Sequence, residues 1–212
     1  MTTTTLNNSF NEIIKGRRSI RKYDTTVKIS KEEMYQIIEM ATLAPSSVNM
    51  QPWRFLVIES DEAKATLAPL ARFNHSQVET SSAMIALFGD LNNFDYAEEI
   101  YGRAVELGYM PQEVKEKQLE TLSGFFANST SEQMKDTVLV DGGLVAMQFM
   151  LTARAHGYDT CPIGGFEKDQ IAEAFGMDKD RYVPVMLISI GKAEGAGYQS
   201  VRLPVERVAE WK

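Results

Sequence analysis

The sequence predicts a layered domain of the α/β or α+β kind. Three observations carry this expectation. Segments with helical spacing alternate with short apolar segments of strand length, which is the signature of helix layers on a sheet. The strands are few and short for so much helix. The 212-residue chain is also long enough to bury one good core, so residues 1–212 are read as a single domain.

Each element has its own signal. Ser9-Phe-Asn-Glu12 has the capping-box spacing, in which a serine oxygen and a glutamate satisfy the first free amides of a helix. Ser30-Lys-Glu-Glu33 repeats it, followed by Met34, Ile37, Ile38 and Ala41 at i, i+3, i+4, i+7, and Pro45 stops that helix. Phe55 to Ile58 and Ser82 to Phe88 read as short buried strands. Pro111 opens an amphipathic helix over about 111–127, with Phe125 and Phe126 near its end. A long core helix covers about 131–156 and closes at Gly157. Tyr158 to Cys161 is a weaker strand signal, 167–175 a helix ending at Gly176, and Tyr182 to Ile190 a strong strand. The tail after Gly191 has little pattern and is expected to stay disordered or to find a partner surface.

Composition removes several function classes. A net charge of -7 argues against a nucleic-acid surface, because phosphate backbones need a basic stripe. Cys161 is the one cysteine, so no internal disulfide forms, and His75 and His156 have no zinc-type spacing. The apolar stretch from Val138 to Ala155 is broken by Asp141, Gln148 and Arg154, which fits a buried helix better than a membrane span. The start, "MTTTTLNNSFNEI", lacks the basic-then-apolar order of a secretory signal, and a cytoplasmic protein is the simplest expectation.

Four places are candidates for chemistry. In "GRRSIRKY", residues 16–23, Arg17, Arg18 and Arg21 surround Ser19; guanidinium forks suit phosphate or an anionic ring, while a solvated basic turn is the plain alternative. If the segment is extended, Arg17, Ser19 and Arg21 lie on one side. In "ATLAPSSVNMQPWRF" a loop stiffened by Pro45 and Pro52 carries Ser46, Ser47, Asn49 and Gln51, which either face a ligand or cap their own backbone. Trp53 and Arg54 tilt that balance by adding a flat apolar surface and a donor. "CPIGGF" places Gly164 and Gly165 between a strand and a helix, where backbone amides approach a ligand closely; a plain turn is the alternative, and the Gly-x-Gly-x-x-Gly fingerprint is lacking. Lys192 and Arg202 in the tail are the fourth place, with Asn74 in "FNHSQ" a lesser one.

Taken in order, "RRSIRKY", "APSSVNMQPWRF", "PIGGF", a strand ending "ISIGK" and a basic tail resemble the FMN-dependent nitroreductase family, from residue 17 to residue 202. The resemblance implies a nitroreductase-like α+β fold, with a central mixed, mainly antiparallel sheet flanked by helices. It also implies an intertwined homodimer whose exchanged C-terminal arm, about 192–212, wraps the partner subunit, with two FMN sites at the interface. NADH or NADPH is the implied donor, and nitroaromatics, quinones or related acceptors take the electrons in ping-pong order through flavin N5.

Residue roles follow from the same resemblance. Arg17, Arg18, Ser19 and Arg21 lie on the FMN of their own subunit, with the outer arginines on the phosphate and the ring's polar edge. Pro45, Ser46, Ser47 and Asn49 reach the FMN of the other subunit. Asn74 sits near the polar edge, the backbone at Ile163, Gly164 and Gly165 faces N5, and Arg202 grips the phosphate. Gln51, Gln77, Pro162 and Lys192 complete the cofactor set, and no side chain is assigned a catalytic role. Ser200 stands where some members have a second basic residue, Gln77 where some have lysine, and "PIGGF" has no acid. Tyr109, Phe125 and Phe126 are candidates for the substrate pocket, with a packed core aromatic the plainer reading of any one of them, and residues 92–130 are the room for a lid. A reductive dehalogenase-type flavoenzyme and a flavin-storage protein without turnover stay open as alternatives.

Overall fold

Four strands, Trp53–Ile58 (β1), Ala83–Asp90 (β2), Asp159–Ile163 (β3) and Tyr182–Gly191 (β4), pair in the order β1-β2-β4-β3, every neighbour antiparallel. The computed structural model describes residues 6 to 212, so the threonine run at positions 2 to 5 lies outside the described residues. Around the sheet stand Phe10–Gly16 (α1), Lys31–Ala41 (α2), Asp61–Leu67 (α3), His75–Thr80 (α4), Ala97–Glu106 (α5), Gln112–Asn128 (α6), Ser131–Ala155 (α7) and Lys168–Ala174 (α8). The expected mixed character reduces, among the described residues, to one isolated parallel bridge from Ser19 to Thr160 beside β3.

The sheet is covered on both faces, and β2 shows why its sequence reads as an unbroken apolar run. Ala83, Ile85 and Leu87 join Trp53, Ile37, Phe149 and Ile190 under α2 and α7. Met84, Ala86 and Phe88 point the other way, into Leu67, Val78, Ile171 and Leu187 under α3, α4 and α8. A strand buried on both faces needs no polar alternation. Each fully buried side chain of this size stabilises the fold by roughly 1.5–3 kcal/mol.

Helix α7 has the length and apolarity to cross a membrane, yet half of its apolar window is buried inside the molecule, and it is the core helix of the first layer. It lies close on the sheet. A Cβ at Gly142 would come 2.7 Å from Val185, and one at Gly89 would come 2.7 Å from Val138. Its start is a full capping box: Thr130 Oγ1 accepts from Gln133 N–H at 3.2 Å, and Gln133 Oε1 accepts from Thr130 N–H at 2.9 Å.

Three expectations need correction. The capping box at Ser9 does not form, although Ser9 is the residue before α1; Asn7 intervenes, its Oδ1 accepting from Ser9 N–H and its Nδ2 donating to Glu12. At Ser30 the cap holds, with Ser30 Oγ accepting from Glu33 N–H. Helices α3, α4 and α5 fall where no helical spacing is legible, because they are short and bury few apolar side chains. Trp53 begins β1 and is 5% exposed in the core, so it adds no flat ligand surface as expected, whereas Arg54 donates to Asp90 at 2.9 Å with 27% of its side chain exposed.

Candidate functional site

The first cluster forms along β3. Beyond α1 the chain becomes extended, and Ile20 N–H donates to the Thr160 carbonyl at 3.1 Å. Tyr23 fixes the run: its buried hydroxyl bonds Ser189 Oγ at 2.7 Å and the Ile20 carbonyl at 2.9 Å, and burial pushes its pKa up. With Ile20 inward, Arg17, Ser19 and Arg21 share the opposite side and converge with Gln77 on the Cys161 thiol. Burial pushes that thiol up, against the Gln77 and Ser19 hydrogen bonds and the Arg21 and Arg17 charges. Arg18 turns back instead, its Nη1 donating to the Lys15 carbonyl at 2.6 Å and the Arg17 carbonyl at 2.9 Å at the end of α1.

Two neighbours complete this cluster. Asn74 precedes α4 and lies one turn before Gln77, which is buried. Glu167 ties the segment ahead of α4 to the loop after β3, through its N–H to the Leu70 carbonyl and its carboxylate to Arg72. Between them lies a cleft of about 410 Å³ lined by Leu70, Arg72, Phe73, Gly165, Phe166 and Glu167. Pro162 is exposed, while the Ile163 side chain enters the core and its backbone ends the ladder with β4, level with Leu187. Gly164 and Gly165 are exposed, with nothing within 4 Å of where a Cβ would stand, so this backbone is open to a ligand. A second cleft, about 680 Å³, lies between Ser19–Lys22 and the start of the tail, where Lys22 pairs with Glu194 at 2.8 Å.

The second cluster is the loop before β1. Pro45 leads into Ser46, then a 3-10 turn at Ser47–Asn49. Val48, Asn49 and Gln51 take φ values of 44°, 57° and 47°, a left-handed backbone that side chains other than glycine adopt at a cost of roughly 1–3 kcal/mol each. Such a loop persists only when its surroundings over-determine it. Side-chain bonds do so: Ser46 Oγ accepts from Gln51 N–H at 3.0 Å, Asp141 accepts from Ser47 N–H at 3.1 Å on both oxygens, Tyr101 donates to the Val48 carbonyl at 3.0 Å, and Arg54 Nη1 donates to the Gln51 carbonyl at 3.1 Å. Asp141 is 4% exposed, and burial pushes its carboxyl up. Beside Val48 opens an apolar groove of about 670 Å³ along α6, lined by Tyr101, Val114 and Leu122 among others.

The two clusters lie at diagonally opposite corners of the sheet. Trp53 is level with Gly89 and Val183, whereas Ser19 bridges Thr160, which is level with Ile190. Four strand spacings across and seven residues along separate them, on the order of 30 Å. Within one chain they cannot grip one small ring.

A model of the nitroreductase family matches residues 14–192. The chain belongs to the nitroreductase family. The nitroreductase fold also covers the ends outside that match: a protein of Exiguobacterium sibiricum, provisionally described as a nitroreductase and solved in complex with FMN, is 68% identical, with a TM-score of 0.96 over 99% of this chain and 100% of its own. YdgI of Bacillus subtilis, provisionally named an NAD(P)H nitroreductase, is 66% identical over 97% of this chain and 98% of its own length. A CLA biosynthesis enone reductase of Lactiplantibacillus plantarum is 35% identical over 89% of this chain and 87% of its own.

The remaining candidate residues of this nitroreductase stand apart from both clusters. Lys192 Nζ donates to the Gly157 carbonyl at 3.0 Å, closing the end of α7. Arg202 lies in the tail, where every residue from Glu194 to Lys212 is exposed, and its one hydrogen bond among the described residues is to the Val201 carbonyl. Tyr109 and Phe125 are 80% and 61% exposed. Phe126 stacks on Phe94 at 4.7 Å in a small cluster with Met50 and Tyr101. Asp141 and Tyr101 were missed as candidates. The signal for Asp141 was its place as an acid within an apolar helix.

Proposed function

We propose that the protein is an FMN-dependent oxidoreductase, in which NADH or NADPH and then an acceptor occupy the same place in turn, in ping-pong order. The observation that carries this reading is the division of the candidate site into two clusters too far apart to serve one ring in one chain. A homodimer removes the difficulty by pairing the Arg17–Arg21 corner of one subunit with the Ser46–Asn49 loop of the other.

The residues present fit FMN. Arg17 and Arg21 have no carboxylate partner among the described residues, in a chain of net charge -7, and so remain available to an anion. The open backbone at Gly164 and Gly165 allows N–H donors to approach a flat ring. When bound, the flavin supplies a two-electron acceptor at N5. A guanidinium at the ring's polar edge favours the anionic reduced form, and backbone amides orient the ring without introducing a nucleophile. The apolar groove beside Val48 suits a planar, weakly polar acceptor such as a nitroaromatic or quinone.

Exposed apolar surface supports the dimer. Val140, Leu144 and Met147 form an i, i+4, i+7 stripe on the outer face of α7, and Leu43 is 78% exposed just after α2. Val201, Leu203 and Trp211 leave the tail equally uncovered, as an arm that wraps a partner would be. The reading places the enzyme in the cytoplasm, where both nicotinamide donors are held. A conjugated enone is the second acceptor class, favoured by the 35% identity to the L. plantarum enone reductase.

The test is the visible spectrum of the FMN-reconstituted protein under anaerobic conditions, before and after NADPH and then NADH. Bleaching of the flavin bands is expected, in a dimer by light scattering. Bound flavin that stays yellow would favour storage without turnover, and failure to bind FMN would sink the reading.

A further inference from the structure

We propose that Asp141 is the positioning residue of the flavin-contacting loop, holding Ser46 to Gln51 at a fixed height on α7 so that the loop meets the other subunit's FMN already folded. This rests on the functional reading above and deepens it. The carboxylate is 4% exposed, on the core helix, and has no cation partner among the described residues. A buried, uncompensated charge is costly, and fold stability alone would be better served by an apolar side chain of the same shape. What the carboxylate does instead is receive the Ser47 N–H on both oxygens.

The attachments of the loop differ in kind, and Arg54 holds only its last residue, through the Gln51 carbonyl beside β1. Ser46 Oγ to Gln51 N–H is internal to the loop and fixes its shape only. Tyr101 reaches it from α5, which packs against α6 at the surface. Asp141 ties it to α7, which is packed against the sheet through Gly142 and shows Val140, Leu144 and Met147 on its outer face. The same helix therefore carries the loop's anchor and the stripe assigned to subunit contact. The left-handed residues Val48, Asn49 and Gln51 would relax toward ordinary backbone if that anchor were lost.

The experiment compares Asp141→Ala, Asp141→Asn and wild type, each checked as a dimer, for FMN dissociation constant by flavin fluorescence quenching. It repeats Asp141→Ala in a Val48→Gly background, where residue 48 takes its left-handed backbone without a steric penalty while Asn49 and Gln51 keep theirs. Asp141→Ala is expected to weaken FMN binding about tenfold, the size of one lost charge-assisted hydrogen bond. Asp141→Asn, which keeps an acceptor oxygen, should recover to within about threefold, and the Val48→Gly background should shrink the alanine effect similarly. If the alanine variant does not fold, Asp141→Leu replaces it with the same expectation. An unchanged constant in the variant while wild type binds FMN overturns this proposal alone, as does an equal loss in both backgrounds. Wild type with no FMN affinity overturns the functional reading and this one together.

Discussion

The two corners of the candidate site are built by opposite means. The Arg17–Arg21 corner is ordinary extended backbone, added to the edge of β3 and pinned by a buried tyrosine that reaches into β4. The Ser46–Gln51 corner is strained backbone, held by side-chain bonds from Asp141, Tyr101, Arg54 and its own Ser46. One corner is therefore part of the fold, and its loss should unfold the protein. The other is mounted on the fold, and its loss should cost function first.

The largest test of that contrast is Tyr23→Phe. It leaves buried Ser189 Oγ without its phenol partner, and a destabilisation of about 1–3 kcal/mol in urea melts of the apoprotein is expected. A melt identical to wild type would mean that this corner is not integral to the sheet. Next comes Arg21→Ala, which removes an exposed guanidinium from the same corner. FMN affinity should fall about tenfold while the melting temperature holds, because surface changes away from packing rarely matter. Weaker folding with unchanged flavin binding would reverse the assignment.

The smallest effect concerns pH and the mounted corner. Burial raises the Asp141 carboxyl above its ordinary 3.8, so the native state holds that proton more tightly than the unfolded chain does. The group therefore contributes nothing unfavourable below that value. Its destabilising effect grows as pH rises from 3.8 through the raised folded value, and is constant above it. Asp141→Asn removes this dependence, so the stability of the variant relative to wild type should be larger at pH 7 than at pH 4. Equal differences at the two values would contradict the buried charge.

Much of the fold was legible because its signals are long or doubled. Helix α7 announced itself by the long apolar stretch from Val138 to Ala155, and β2 by an unbroken apolar run that only a two-faced sheet requires. Helix α4 was illegible because its six residues bury only Gln77 and Val78, which leaves no periodicity to read. Ser9 misled because its capping pattern is complete in sequence, and only Asn7, two residues earlier, shows why the bonds go elsewhere. Of the site, the motif residues were legible as groups. Their division between two groups came only from the family resemblance and not from spacing, since pairing order decides where each corner lies. Asp141 was hidden for a similar reason: its partner is a backbone amide 94 residues away.

Cys161 has a practical consequence. It is the one thiol in the chain, it is 6% exposed, and its burial disfavours the reactive thiolate. A cysteine introduced at Glu62, exposed on α3 on the sheet face opposite α7, would be alkylated far faster than the native one. Two dyes attached there, one on each of two batches, would make subunit exchange visible as energy transfer, with the native sequence otherwise untouched.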